Sequence, residues 1–239
     1  MEKEQKVYAV FQAISDGYDM ANERVSLGLH TGWKRAAARA VTTSIPAGGR
    51  VLDLCCGTGD MTALLLEMAP DLRIVGLDFS PNMLARAKER FAENERVALI
   101  RGNAMALPFE GKRFDAAVIS FGLRNTADYG RVLREMTRVV RRGGTVCCLD
   151  SFRPESRLVQ PFYDLYFSGL MPLIGGGLAR RWEYRWLCES TRAFLSAEGL
   201  SGLMQSSGLE RITGTSFLFG ACSLRTGYRG GSGSDEDLE

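Results

Sequence analysis

The chain has 239 residues, 45% hydrophobic and 24% charged, enough for one core of ordinary size and too apolar for a disordered chain. Net charge is only +2, but the last nine residues, GSGSDEDLE, hold four acids and no base. Removing those four of the 28 acids leaves +6 on residues 1–230, which suits an acidic ligand or an anionic membrane surface and is too slight for nucleic acid.

The opening MEKEQKVYAV carries charges and no apolar run of signal length. The longest uncharged stretch, Leu165 to Ala179, is 15 residues and contains Pro172 and the run Gly175-Gly176-Gly177. A spanning helix needs about 20 apolar residues, so none is expected there. Six cysteines form no CxxC pair, and His30 is the only histidine. No metal site and no disulfide framework are expected; these thiols read as small buried hydrophobes of a reducing cytoplasm.

Residues 7–41 carry interleaved aromatic and small residues and predict two helices, broken near Gly28–Gly32. Pro46 to Gly49 then breaks the chain, and a β/α alternation begins. The strands are RVLDLCC from residue 50, RIVGLDFS from 73, RVALIRGN from 96, FDAAVISFG from 114 and TVCCLDSF from 145. Between them come helices over MTALLLEMA, from Pro81 to about Phe91 with Ser80 as N-cap, and over 131–140, the last ended by Gly143-Gly144. Near-continuous apolar strands separated by helices imply an α/β fold with a parallel sheet covered on both faces. Residues 157–192 fit neither strand nor one clean helix. A helix over 196–207 and two closing strands, LERITGTSFL and ACSLRTGY, follow, and the acidic tail after Gly230 predicts disorder. The whole reads as one domain over 1–230, with a Rossmann-like core at 50–150.

Open α/β sheets bind ligands beyond the C-terminal ends of their strands. The first strand ends at Asp53 and Cys55-Cys56, and the turn is Gly57-Thr58-Gly59-Asp60. The second ends at Asp78, where a carboxylate can accept two hydrogen bonds from a ribose diol. A dinucleotide fingerprint wants glycine at position 62, where Thr62 stands, and Asp60 would repel a pyrophosphate at the helix start. S-adenosylmethionine carries no phosphate and two cationic groups, so it suits an acidic turn better. After the third strand, Asn103 can pair with an adenine edge or cap its own loop, and Ala104 leaves room for a ring. Met83 and Leu84 read as adenine-pocket lining or as core.

The strings VLDLCCGTGD, GLDFSPNML, GNAMALPF, ISFGLRN and YRWLCES, with YDMAN and SLGLHTGWKR near the start, resemble the quinone-biosynthesis C-methyltransferases of the ubiquinone/menaquinone type, closest to the menaquinone branch. The resemblance covers about residues 7–229. It implies a class I S-adenosylmethionine-dependent methyltransferase fold, seven-stranded with an antiparallel last strand. It also implies S-adenosyl-L-methionine as methyl donor and a polyprenyl demethylquinol as acceptor. Carried over by position, Gly57, Thr58, Asp78, Asn103, Ala104 and Ser120 contact the cofactor. Arg124, just beyond the fourth strand, reads as acting on the acceptor's phenolate or as a structural arginine capping that loop, with Asn125 orienting the loop or the hydroxyl. Tyr18, His30, Asp128 and Asp150 are the open choices for a base. Asp150 stands where the family pattern has Glu. Aromatics such as Phe162, Tyr163 and Tyr166, with Arg180, Arg181 and Arg185, read equally as a prenyl channel with peripheral membrane contact or as a homodimer interface.

Overall fold

A computed structural model describes residues 28–154, 156–165 and 188–231, together with Gln5, Val7, Val10 and Ser26, and of residue 162 the backbone only. The expected alternation is present. α1 (Leu29–Thr42) precedes β1 (Arg50–Leu54), α2 (Asp60–Met68), β2 (Arg73–Asp78), α3 (Pro81–Arg90), β3 (Val97–Arg101) and β4 (Phe114–Ser120). α4 (Tyr129–Val139), β5 (Val140–Ser151), a short α5 (Gln160–Leu165), α6 (Ala197–Ser206), β6 (Leu209–Phe217) and β7 (Cys222–Arg229) complete it. The strands form one sheet in the order β3-β2-β1-β4-β5-β7-β6. Only β7 opposes the others, pairing antiparallel with both β5 and β6. The order reverses between β1 and β4, and their C-terminal ends open a crevice at that switch point.

Each central strand is apolar on both faces because helices cover both. Val51 and Ile74 meet Ala37, Ala38 and Val41 of α1 and Leu65 of α2. Leu52, Leu54 and Leu77 belong to the opposite layer, with Val132, Leu133 and Met136 of α4 and Leu200 and Met204 of α6. Local signals set the helix ends. Ser80 accepts a hydrogen bond from the Met83 amide and Pro81 opens α3, while Asp128 and Ser196 cap α4 and α6 in the same way.

Gly143-Gly144 does not end a helix. α4 stops at Val139 and the chain is already extended at Val140. The glycines lie in a bulge where β4 advances from Phe114 to Ala116 while β5 advances from Val140 to Thr145. Asp115 ties the bulge down, accepting from Arg141 Nε at 2.5 Å and from the Arg50 amide at 2.7 Å. All six cysteines are free, and the described residues hold no cluster able to bind a metal. No described helix is long and apolar enough to cross a membrane.

Asp53 is an acid in the central strand, fully buried, with Thr62 Oγ1 donating to its Oδ2 at 2.7 Å. Burial outweighs that hydrogen bond and the nearby Lys34 charge, raising its pKa from 3.8 to about 7. The folded chain therefore keeps a proton that the unfolded chain has lost, between about pH 4 and 7. This group's contribution to stability is fully present below that window and is lost as pH rises through 7. Asp53→Asn, which mimics the protonated form, should abolish the slope. Urea unfolding at pH 5, 6, 7 and 8 should show the variant gaining on the wild type as pH rises, and a constant difference would refute the buried proton. Gly59 has φ +87°, and a Cβ there would meet Phe91 Cε2 at 2.4 Å. Gly59→Ala should cost about 1–3 kcal/mol, read by the same unfolding curves.

Candidate active site

The crevice at the switch point is a cavity of about 450 Å³. β1 contributes Cys55 and Gly57, and β2 contributes Leu77, Asp78 and Phe79. Gly102, Asn103, Ala104 and Met105 follow β3, and Ser120, Phe121, Gly122 and Asn125 follow β4. Two of these residues have left-handed backbones without being glycine: Cys55 and Phe121, both at φ 56°. They turn two adjacent central strands sharply at their exits, and a Cβ on Gly122 would lie 2.6 Å from that of Cys55. The close approach explains why glycine stands at position 122.

Asp78 is 6% exposed and is held from two sides. The Gly57 amide donates to its Oδ2 at 2.9 Å, and the Ser80 amide to its Oδ1 at 2.8 Å. Burial raises its pKa, with the Ser80 and Gly57 amides opposing the rise. One carboxylate thus ties the first turn to the start of α3 while facing the cavity. Gly57 has open space where a Cβ would be, so a ligand can approach the turn's backbone.

Asn103 caps its own loop at the cavity wall. Its Oδ1 accepts from the Met105 amide at 2.9 Å, capping the loop, and the residue still lines the cavity. Ala104, Ser120 and Met83 also line the wall, whereas Leu84 is core. Two buried wall atoms, Ser120 Oγ and Asn125 Oδ1, have no hydrogen-bond partner within the described protein. Buried polar atoms of that kind are costly unless a ligand or water meets them. Cavity size, a pinned carboxylate and those two atoms fit a polar, ring-bearing ligand such as an adenosyl group.

Two expected site residues lie outside the wall. Thr58 is buried, and the turn presents Cys55 and Gly57 instead. Arg124 is buried behind the wall. Its Nη1 donates to Asp150 Oδ1 and, at 2.9 Å, to the Phe121 carbonyl, while its amide donates to Asp150 Oδ2 at 3.2 Å. Asn125, the next residue, reaches the cavity and donates from Nδ2 to the same Phe121 carbonyl at 3.3 Å. Asp60 is likewise not part of the wall. Lys34 at 3.0 Å and Arg90 at 2.6 Å close its charge, and although burial pushes its pKa up, these cations bring it below the ordinary value. The case against a pyrophosphate therefore rests on Thr62 rather than on Asp60.

Of the open choices for a base, Asp150 is committed to Arg124, and Asp128 caps α4 by accepting from the Arg131 amide at 2.8 Å. His30 Nδ1 lies 2.7 Å from Ser26 Oγ, near the start of α1. Tyr18 lies outside the described residues, as do Tyr166, Arg180, Arg181, Arg185 and the Phe162 side chain. Tyr163 is partly buried; burial is the main cause that raises its pKa, and the Arg124 charge opposes the rise.

Sequence reasoning missed Cys55, Phe121, Gly102 and Met105 as wall residues. The signal for Cys55 was present, since it is the first residue after β1, two positions before Gly57. Its pKa is raised far above 9.0 by burial and by the negative charges of Asp78, Asp53 and Asp150. The thiol therefore stays protonated.

Comparison with known proteins agrees with this architecture. Among solved structures, the methyltransferase complexed with the Haloferax volcanii Trm112 methyltransferase activator superposes with a TM-score of 0.68 at 20% identity, over 92% of this chain and 97% of that one. A SAM-dependent methyltransferase of Thermotoga maritima gives 0.64 at 20% identity, over 93% and 99%. At such identities the likeness is one of fold, and the fold is that of class I S-adenosylmethionine-dependent methyltransferases. The demethylmenaquinone methyltransferase of Bacillus cytotoxicus is 43% identical over 231 residues, 95% of this chain and 97% of its own. The sequence profile of the ubiE/COQ5 methyltransferase family matches residues 1–229, and the chain belongs to that family.

Proposed function

We propose that the chain transfers a methyl group from S-adenosyl-L-methionine to a ring carbon of a polyprenyl demethylmenaquinol, the step that completes menaquinol. The observation that carries this reading is the Asp78 carboxylate, fixed by the Gly57 and Ser80 amides at the floor of the cavity. A carboxylate so held is an acceptor for the two hydroxyls of a ribose. Gly57 gives backbone access, Asn103 offers its Nδ2 to an adenine edge, Ala104 makes room for the ring, and Ser120 Oγ takes a polar group of the same ligand. Thr58 supports the turn from beneath.

When bound, S-adenosylmethionine supplies an electrophilic methyl on a sulfonium. An aromatic carbon lacks nucleophilicity, which ionisation of a neighbouring quinol hydroxyl provides. The chain must hold carbon and methyl in line at roughly 3–3.5 Å and keep water out. Asn125 is placed for the first task, because its Oδ1 can accept the hydrogen bond of an acceptor hydroxyl. Arg124 acts one layer back: its guanidinium stays charged and cannot be a conventional base. Its fork, bonded to Asp150 and the Phe121 carbonyl, fixes the 121–125 loop that carries Asn125. The protonated Cys55 thiol matters here too. A thiolate on that wall would compete for the methyl group, and burial beside three carboxylates prevents it from forming. The polyprenyl chain of such an acceptor keeps it in a bilayer, so the enzyme works at a membrane surface.

Asp78→Ala should weaken S-adenosylhomocysteine binding about 10–100-fold in calorimetric titration, through loss of charge-assisted hydrogen bonds. Wild-type affinity should fall on acidification, beginning above the ordinary carboxylate range because burial raises the Asp78 pKa. Arg124→Lys keeps the charge but loses the fork. It should leave that affinity unchanged while lowering kcat at least tenfold with a short-chain demethylmenaquinol, and unchanged kcat would remove Arg124 from the reaction. Arg124→Ala should cost about 3–5 kcal/mol of stability, because Asp150 is left as an uncompensated buried charge. An Arg124→Leu, Asp150→Leu pair should cost less, both read from urea unfolding curves.

A further inference from the structure

Five large apolar side chains stand exposed among the described residues, and all lie at one end of the molecule. Leu218 and Phe219, 51% and 77% exposed, form the turn between β6 and β7. Leu158 and Leu165, 84% and 73% exposed, follow β5, and Leu29, 43% exposed, begins α1. β6 runs parallel to the central strands, so its C-terminal end lies at the end where the cavity opens. β5 leaves the sheet there as well, and α1 must start there because its other end feeds β1.

The turn is costly in two ways. Leu218 and Phe219 have φ of 45° and 55°, a left-handed conformation that glycine or asparagine adopts far more readily. Both side chains also stand in water. The turn is nevertheless firmly placed: Trp33 of α1 stacks on Phe217 at 6.2 Å, and the Phe152 amide donates to the Ala221 carbonyl at 3.0 Å. Phe121 of the cavity wall packs in the same cluster as Trp33 and Phe217. The apolar end is therefore continuous with the site.

Its shape and charge say what it meets. A fully exposed side chain of this size offers at most roughly 200 Å², and at their 43–84% exposure all five together stay below the ~800 Å² per partner of a stable dimer. Beside Leu158, Arg153 and Arg192 share one carboxylate, Asp164, at 2.8 and 3.4 Å, and Arg157 is exposed. Scattered apolar side chains on one end with arginines among them match an anionic interface better than a protein face. We propose that this end docks on an anionic phospholipid bilayer, with Leu218 and Phe219 inserted as the anchoring turn. The inference deepens the proposed function and rests on its membrane-borne acceptor, but lipid binding can be read without the reaction.

The test is cosedimentation of the full chain with vesicles of phosphatidylglycerol and phosphatidylethanolamine. The Leu218→Asn, Phe219→Asn double variant suits the left-handed backbone and should keep or raise Tm by a few degrees. It should bind vesicles at least tenfold more weakly, with S-adenosylhomocysteine affinity and turnover of a short-chain quinol unchanged. Leu158→Gln, at a position with little packing to lose, should give a smaller loss in the same direction. Vesicle binding equal to wild type in both variants, or no wild-type binding, would overturn the proposal. So would a wild-type dimer that the double variant converts to monomer in light scattering. Vesicle binding that depends on Leu218 and Phe219 in a chain that methylates no quinol would uphold the docking face and sink the substrate reading.

Discussion

The structure turns on one buried carboxylate. Asp78 leaves the core strand β2 with its two oxygens committed to the amides of Gly57 and Ser80, which belong to different βα turns. That arrangement fixes the distance between the β1 turn and the start of α3, and the cavity between them follows from it. An acid in this position is unfavourable without donors, and the two amides offset part of its desolvation. The remaining lone pairs face the cavity, where a diol can complete the set. Asp53, in the neighbouring strand β1, shows the opposite outcome: with one side-chain donor, Thr62, it retains a proton near neutrality.

A second interaction fixes the loop after β4. Arg124 and Asp150 form a buried pair that joins the loop after β4 to the end of β5. A pair of this kind is weak support for stability, but it specifies geometry, since breaking either side leaves a bare charge. Its product is the placement of Asn125, whose amide nitrogen is fixed by Phe121 and whose oxygen is left to the cavity.

Much of this was legible in the sequence because it is local. Continuous apolar strands ending in Asp53, Asp78 and Ser120, the Ser80-Pro81 helix start and the spacing of α4 each follow from a few adjacent residues. Five of the six residues assigned to the cofactor line one cavity, because they all sit at strand ends that the topology brings together. What the sequence could not display is long-range. Arg124 and Asp150 are 26 positions apart, so nothing in GLRN announces that its arginine turns away from the cavity. The Gly143-Gly144 pair reads as a helix stop, yet pairing with β4 makes it a strand bulge. Asp60 reads as a bare acid until the fold brings Lys34 and Arg90 to it. Leu218 reads as the end of a closing strand, and the pairing of β6 with β7 shows it standing with Phe219 in an exposed turn.

The most direct measurement is a crystal structure of the chain with S-adenosylhomocysteine. The expected result is a ribose whose two hydroxyls lie within hydrogen-bond distance of Asp78, with the adenine beside Asn103 and Ala104. A ligand seated elsewhere, or an Asp78 carboxylate turned from the sugar, would contradict the assignment of this crevice.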